Sequence, residues 1–441
     1  MQEQITVESL AYGGDGIGHL SDGKVVFIAG AVPKDVALVD VYQNRSAFAK
    51  GRIVSLVEAS PDRVVPLCDE AAALRCGGCP WAQVAYEQQL KWKRQAVVDA
   101  MVRIAKFDES IANQVVGECV ASKKQWHYRN KVEFEVGLDV AGRMTLGMHA
   151  HGGEFTPLSA CQLCPKKVAK APKALTGSLR FALSEEQMQL ERVGVRLSER
   201  TGECEVAIWT QTGRFPRGRV AKIVSEGMPV KNPGVARVLL KGDAKTRKIA
   251  GVESLAGHGN WAERIGEYTM WLSAPSFFQV NTSGAEKLVE LVMDGLQPDG
   301  TDAVLDLYSG AGTFTLPLAE ASMSVAAVES AGSSVRDLRR NLERNGLYAD
   351  VIGGDVGREL PQLGHVDAAV VDPPRSGLAP EALEALVNTR ARRIAYVSCD
   401  PSTLARDLAK MIESYRILKI TPVDLFPQTY HVENVAILER R

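Results

Sequence analysis

The sequence has no long hydrophobic run, no low-complexity tract and no excess of either charge. In its 441 residues no apolar stretch reaches the roughly 18 residues that a membrane-spanning helix needs, so we expect no membrane partner. The first residues lack the basic and apolar regions of a secretory signal, and we therefore expect a cytoplasmic protein. The Gly/Ser-rich and Pro-rich tracts that indicate long disordered regions are also missing.

The near-neutral total charge of −1 gives no hint of a nucleic-acid partner, but the charges are unevenly distributed. Residues 1–60 carry a net charge of −2, residues 61–270 a net charge of +8, and residues 271–441 a net charge of −7. A basic middle segment between acidic ones is a legitimate sign of a polyanionic partner. The basic middle of the chain is therefore the segment where the charge favours contact with a partner.

Eight cysteines are present, too few in a chain of this length to indicate a disulfide scaffold. In a reducing compartment, cysteines at close spacing more often include metal ligands or a catalytic thiol. The sequence therefore predicts at least one of these two uses.

The length and the residue patterns predict three domains in a multidomain α/β protein. Short β-branched runs between glycine turns indicate an OB-like β-barrel over residues 1–58. Alternating polar and apolar residues favour an α+β domain with an antiparallel sheet over residues 59–270. Nearly continuous apolar strands between helical patterns indicate a doubly wound, Rossmann-like domain over residues 271–441.

A candidate cofactor crevice lies where successive strands of that last domain end. Gly310 and Gly312 allow a tight turn after the first strand and a close approach of a nucleotide-like ligand. Glu329 follows about 20 residues later, in the position of a carboxylate that accepts ribose hydroxyls, and Asp355 and Asp372 end the next two apolar runs. This order resembles a class I S-adenosylmethionine (SAM) methyltransferase rather than a dinucleotide dehydrogenase, which needs a third glycine.

Two residues near the C-terminus are candidates for catalysis. Cys399 follows the fifth strand in a polar turn, where a thiolate is expected to be stabilised and exposed. The alternative is a buried cysteine that acts only as a small hydrophobic residue. Glu433 begins an otherwise apolar strand, where a carboxylate is costly unless it is paired or transfers protons.

Taken together, the motifs resemble those of the RNA 5-methyluridine methyltransferase family. They occur in the family's order at Phe278–Asn281, Asp306–Gly312, Asp372–Arg375, Ser398–Pro401 and His431–Glu433. Residues 4–57 resemble the TRAM domain, an OB-like RNA-binding module of the rRNA members. The resemblance covers the whole chain.

The resemblance implies a covalent mechanism. Cys399 would add to carbon 6 of a uracil, which activates carbon 5 to take the methyl group of SAM, and Glu433 would remove the carbon 5 proton. The target uridine must leave its stack to be reached. The residues expected at the cofactor are Gln279, Tyr308, Gly310, Thr313, Glu329, Asp355 and Asp372.

The resemblance also implies a [4Fe-4S] cluster bound by thiolates. Its ligands would be Cys68, Cys76, Cys79 and Cys161. The spacing of the cysteines alone also allows zinc or no metal, and Cys164 is the alternative fourth ligand. Cys119 and Cys204 are expected to be buried free thiols.

RNA is the expected partner, with 23S rRNA favoured because of the TRAM-like segment and tRNA second. The basic residues expected near RNA are interleaved with aromatic ones, which suits phosphate contact and base stacking. They are Lys91, Lys93, Arg94, Lys123, Lys124, Arg129 and Lys131, with Trp92, Trp126 and Tyr128. No obligate protein partner is expected. A non-catalytic iron–sulfur RNA-binding protein and a small-molecule methyltransferase are the alternatives.

Overall fold

The computed structural model describes residues 1–150, 152–183, 189–243 and 246–441. Its strands form three large sheets and one two-stranded hairpin. Within these residues, no helix combines the length and the apolar character needed to cross a membrane.

The first sheet has six strands in the spatial order β1-β5-β6-β4-β3-β2. The strands are β1 (Gln2–Thr6), β2 (Ser9–Leu10), β3 (Gly16–His19), β4 (Val25–Ala29), β5 (Val36–Asn44) and β6 (Ala49–Glu58). Alternate residues of β4 and β5 point into a small apolar core. Four or five strands are expected from the sequence. The structure adds one strand, because the alternating run at residues 5–10 is divided between β1 and the two-residue β2.

Three helices follow in the middle of the chain: α1 (Asp69–Ala72), α2 (Tyr86–Arg103) and α3 (Glu109–Val115). Val97, Val98 and Met101 of α2 pack in the same apolar core as the C-terminal sheet. Helix α2 therefore joins the middle of the chain to the C-terminal part.

The central sheet has seven strands in the order β13-β12-β11-β10-β7-β8-β9. They are β7 (Lys131–Leu138), β8 (Met144–His149), β9 (Phe155–Pro157), β10 (Leu190–Leu197), β11 (Cys204–Gln211), β12 (Gly234–Lys241) and β13 (Lys248–Ala256). A 3-10 turn (Lys166–Val168) precedes α4 (Ala171–Ala182), which packs beside α5 (Arg217–Gly227).

Antiparallel pairing is predicted for this sheet, and one pair differs. Strands β11 and β12 are parallel. The reason is the crossover connection through α5, which brings the chain back to the start of the sheet.

A hairpin, β14 (Trp261–Ile265) and β15 (Tyr268–Leu272), connects the central sheet to the C-terminal one. The boundary that the sequence suggests between residues 270 and 271 falls inside β15. Trp261 and Leu272 of the hairpin pack on Phe278 and Ala285.

The C-terminal sheet has the order β18-β17-β16-β19-β20-β22-β21. Its strands are β16 (Ala303–Leu307), β17 (Ser324–Glu329), β18 (Asp350–Gly353), β19 (Ala368–Val371), β20 (Arg393–Ser398), β21 (Tyr415–Val423) and β22 (Glu433–Arg440). The helices are α6 (Thr282–Leu296), α7 (Thr315–Ala321), α8 (Gly332–Arg344), α9 (Val356–Glu359), α10 (Pro380–Asn388) and α11 (Pro401–Met411), with a 3-10 turn at Leu360–Gln362.

The Rossmann-like prediction is confirmed for this part of the chain. The first five strands are parallel, and apolar cores lie on both faces of the sheet. Strand β22 lies between β20 and β21 and runs antiparallel to both. The start of β22 therefore lies beside the end of β20.

Candidate active site

The turn after β16 forms an open crevice at the carboxyl edge of the sheet. Tyr308, Gly310 and Gly312 have positive φ angles of 63°, 56° and 102°. A Cβ atom at Gly312 would lie 2.6 Å from Leu316 and Leu338, so only glycine fits there. At Gly310 a Cβ would meet no described atom within 4 Å. This side of the turn has room for a ligand.

Carboxylates at neighbouring strand ends surround the crevice. Glu329 Oε2 accepts a hydrogen bond of 2.9 Å from the Gly310 amide, which fixes this side chain beside the turn. Asp306 Oδ2 accepts one of 2.5 Å from Thr315, whereas its other oxygen is buried and has no hydrogen-bond partner among the described residues. Burial and the nearby Glu329 raise the pKa of Asp306 to about 7.

The other two strand-end carboxylates have different surroundings. At Asp372, after β19, burial and then the charge of Asp306 raise the pKa to about 7. Asp355 is exposed after β18. Burial and then the charge of Asp355 raise the pKa of Tyr308 to about 12. The fold therefore brings together Tyr308, Glu329, Asp355 and Asp372, which are distant in the sequence.

Gln279 lies in a segment that residues of the middle of the chain hold through hydrogen bonds. Its main-chain oxygen accepts a 3.0 Å hydrogen bond from Asn130. Arg196 donates to the main-chain oxygens of Ser273 (2.9 Å) and Ser276 (2.6 Å) in the same segment. The Gln279 side chain is almost fully buried.

Thr313 lines an apolar cavity of about 220 Å³ between the β14–β15 hairpin and helices α6 and α7. Its neighbours in that lining include Ile265 and Met270 of the hairpin.

Cys399 and Glu433 are neighbours because of the antiparallel pairing of β20 and β22. Ser398 of β20 pairs with Asn434 of β22, and the side-chain amide of Asn434 donates a hydrogen bond of 3.1 Å to the main-chain oxygen of Ser398. Cys399 follows the end of one strand and Glu433 begins the other. Burial, and then the charge of Asp372, raise the pKa of Glu433 to about 8, against an opposing effect of Arg375. This carboxyl group therefore exchanges its proton near neutral pH.

The expectation that the polar turn stabilises a Cys399 thiolate is wrong for the protein without its substrates. Burial and then the charge of Glu433 raise the pKa of this thiol to about 12, whereas Arg375 lowers it. The turn is polar, but the thiol is half-buried beside three carboxylates, and each of them opposes a second negative charge.

Arg375 is a site residue that the sequence argument did not single out. The side chain is exposed, and its charge lowers the pKa of both Cys399 and Glu433. Arg375 belongs to the Asp-Pro-Pro-Arg motif, and this motif is the feature of the sequence that identifies it. Tyr12, which also contacts the Cys399 turn, had no such signal.

The proposed RNA-contacting residues separate into buried and exposed ones. Lys93 is fully buried and its ammonium group lies 2.5 Å from Asp424, so the expectation of a phosphate contact is wrong for this residue. Tyr128 is also buried, and its hydroxyl donates to the Pro427 oxygen at 3.2 Å. Both side chains hold the loop before β22. Lys91, Lys123 and Lys124 are exposed and remain candidates.

The four cysteines proposed as cluster ligands lie near one another. Buried Cys79 packs with Cys68 and Cys161 in one small cluster. Burial raises the pKa of Cys76 to about 11, and the charges of Cys161 and Cys68 add to this effect. The Cys164 thiol hydrogen-bonds Cys161 and lowers the pKa of the latter. Among the described residues, however, no three His, Cys, Asp or Glu side chains have an arrangement that holds a metal ion.

The other two cysteines, Cys119 and Cys204, are buried free thiols, as expected.

Comparison with protein families gives two matches. A family model described as tRNA (uracil-5-)-methyltransferase matches residues 242–351 and 362–441. A model of the TRAM domain matches residues 2–54.

Relatives and solved structures match over the full length. An RNA methyltransferase of Gloeobacter violaceus is 34% identical, with 99% of this chain and 96% of that protein aligned. One of Thermotoga maritima is 32% identical, with 99% of both chains aligned. The crystal structure of Pyrococcus abyssi tRNA (uracil-54, C5)-methyltransferase with S-adenosyl-L-homocysteine is similar with a TM-score of 0.73. The identity is 25%, and the match covers 99% of this chain and 100% of that one.

Proposed function

The chain belongs to the RNA uracil-5 methyltransferase family, and from this we propose that it methylates carbon 5 of a uridine in 23S rRNA through Cys399 and Glu433. The coarser activity, SAM-dependent methylation of RNA, follows from the family itself. The observation that carries the finer proposal is the pairing of β20 with β22, which sets Cys399 beside Glu433 at the carboxylate-lined crevice.

Three features of the crevice support the binding of SAM there. Gly310 leaves space beside the turn, Glu329 is fixed at its edge, and Asp306 has a buried oxygen without a partner among the described residues. We assign Glu329 to the ribose hydroxyls, and Gln279, Tyr308, Thr313, Asp355 and Asp372 to the rest of the molecule. When bound, SAM supplies an electrophilic methyl group.

The residues then divide the reaction into easier steps. Carbon 5 of uracil is a poor nucleophile. Cys399 loses its thiol proton to solvent and adds to carbon 6 as the thiolate. The electron pair that this places on carbon 5 attacks the methyl carbon, and the bond from that carbon to the SAM sulfur breaks, which releases S-adenosyl-L-homocysteine. Glu433 takes the proton from carbon 5, and the bond between sulfur and carbon 6 breaks to restore the uracil ring. The pKa of Glu433, raised to about 8, suits a base that must also release its proton.

Cys399→Ala tests this assignment. It is expected to abolish tritium release from RNA tritiated at carbon 5 while SAM binding is retained. Full activity of the variant would refute the covalent mechanism.

The rRNA target is supported by the TRAM domain at the N-terminus. A tRNA T-loop uridine is the second candidate, because the similar solved structure acts on uracil-54 of tRNA. Mass spectrometry of 5-methyluridine in rRNA and tRNA from a deletion strain separates the two. Loss from 23S rRNA supports the first target and loss from tRNA the second.

We also propose that Cys68, Cys76, Cys79 and Cys161 hold a [4Fe-4S] cluster that shapes the RNA-binding surface, although their described side chains are not themselves arranged around a metal ion. The support is a set of four thiols close enough for their charges to interact, since thiolates are the usual iron–sulfur ligands. Anaerobically purified protein is expected to contain iron and acid-labile sulfide. A colourless protein with stoichiometric zinc would contradict this.

A further inference from the structure

A loop of the N-terminal sheet reaches the turn that carries Cys399. The Tyr12 hydroxyl donates a hydrogen bond of 3.2 Å to the main-chain oxygen of Cys399, although the two residues are 387 positions apart. The Tyr12 ring is half-buried and packs against the apolar core of the C-terminal sheet. The TRAM domain therefore contacts the backbone of the proposed nucleophile directly.

The Tyr12 loop is held in place from two sides. The Trp81 indole donates to the Gly14 oxygen at 3.1 Å, and the Trp81 amide donates to the Gln428 oxygen at 2.9 Å. The rings of Tyr12 and Tyr430 meet edge to face with centroids 5.6 Å apart. Trp81 thus links the Tyr12 loop to the loop that precedes Glu433.

Gly14 suits the close approach of this loop to Tyr430. Its φ angle is +103°, and a Cβ atom there would lie 3.1 Å from the Tyr430 ring and 3.3 Å from Pro80. A side chain at position 14 would be strained by the positive φ angle, and the Tyr430 ring or Pro80 would have to shift by a few tenths of an ångström to accept it.

The surroundings make the Tyr12 hydroxyl a donor. Burial, and then the charges of Asp400 and Cys399, raise the pKa of Tyr12 well above its usual value, so the hydroxyl keeps its proton. Its acceptor lies in the short connection between β20 and α11, where Asp400 caps the helix through the amides of Ser402 and Thr403. The cap fixes one side of the Cys399 peptide and Tyr12 fixes the other.

We propose that Tyr12 is a positioning residue for the nucleophile, and that the N-terminal sheet thereby contributes to the addition step as well as to RNA binding. This rests on the proposed role of Cys399. Because a nucleophile must lie in a narrow range of positions to attack, a shift of its backbone slows addition without weakening substrate binding.

The test measures adduct formation in single turnovers of the full-length enzyme. The probe is substrate RNA with 5-fluorouridine at the target position, because fluorine in place of the carbon 5 proton blocks the elimination and traps the adduct. Tyr12→Phe keeps the ring and removes only the hydroxyl. Loss of one hydrogen bond expressed in the transition state slows adduct formation roughly three- to tenfold. The affinities for RNA and SAM are expected to stay within about twofold of those of the wild type.

Two further variants keep the test decisive. Tyr42→Phe changes an exposed tyrosine of β5 in the same sheet and is expected to leave the rate unchanged. Gly14→Ala displaces the loop without altering Tyr12 and is expected to slow the same step. It carries the test by itself if Tyr12→Phe does not fold.

The outcomes separate the inference from the function on which it rests. An adduct that persists in Cys399→Ala refutes the proposed function. A Cys399-dependent adduct that forms at the wild-type rate in Tyr12→Phe refutes only the positioning role. A weaker RNA affinity with an unchanged rate also refutes it, because Tyr12 would then be an RNA contact.

Discussion

The ammonium nitrogen of Lys93 lies 2.5 Å from a carboxylate oxygen of Asp424, and both side chains are fully buried. Lys93 belongs to helix α2, whereas Asp424 begins the loop that leads to Glu433. The Tyr86 hydroxyl donates to the other Asp424 oxygen at 2.8 Å, and Lys93 also donates to the Phe426 oxygen at 3.0 Å. Helix α2 thereby fixes the start of the loop that positions the proposed base.

Lys93→Met is expected to destabilise the protein by roughly 3–5 kcal/mol, because it leaves the Asp424 carboxylate buried without its counter-charge. Chemical denaturation measures the change. The double variant Lys93→Met/Asp424→Leu is expected to recover part of the loss, since it removes both charges.

Lys124→Met is the matched control for Lys93→Met. Lys124 pairs with Glu199, but both side chains are about half exposed, at 50% and 53%. Its loss is expected to cost under about 1 kcal/mol. An equal cost for the two variants would show that the buried pair has no special role.

The sequence predicted the parts of this site that depend on local pattern. Strand ends in a doubly wound sheet meet at one edge, so Glu329, Asp355 and Asp372 were predicted together at a crevice. The contacts of Lys93 and Tyr12 were not predictable. Lys93 contacts a residue 331 positions away and Tyr12 a residue 387 positions away. No periodicity in the sequence around either residue indicates its partner. Lys93 lies among other basic residues in the sequence, and this cluster predicts that its side chain faces solvent.

Glu433→Gln is expected to trap a covalent protein–RNA adduct that survives on denaturing gels. The amide cannot accept the carbon 5 proton, so addition and methyl transfer proceed but elimination does not. The adduct is expected to require SAM and to disappear in Glu433→Gln/Cys399→Ala. Normal turnover by Glu433→Gln would show that another group takes the proton.

Three carboxyl groups, of which Asp306 and Glu433 are buried and Asp372 is half-buried, make a contribution to stability that falls as the pH rises. The pKa values of Asp306 and Asp372 are raised to about 7 and that of Glu433 to about 8, chiefly by burial. In the unfolded chain these groups lose their protons near about pH 4, so between that pH and about 8 the folded state binds more protons. The contribution of these three groups to stability therefore decreases through this window and levels off above it.

Glu433→Gln removes one of these groups, so it is expected to raise the thermal midpoint relative to the wild type above pH 8 and to have little effect near about pH 4. Glu384→Gln, which removes an exposed carboxylate of α10, is the charge-matched control. The same gain at both pH values would argue against a raised pKa at Glu433.

Arg375→Gln is expected to shift the pH dependence of methylation to higher pH. The positive charge of Arg375 lowers the pKa of both Cys399 and Glu433, so its removal raises both values. Less thiolate and less carboxylate are then present at neutral pH, and kcat falls there. The wild-type rate depends on groups with pKa values of about 12 and about 8, so it is expected to rise with pH through neutrality. The variant is expected to regain part of its activity as the pH increases. Arg336→Gln, which removes an exposed arginine of α8, is the control with the same change in net charge. A uniform loss of kcat/KM at every pH would instead indicate that Arg375 contacts the RNA.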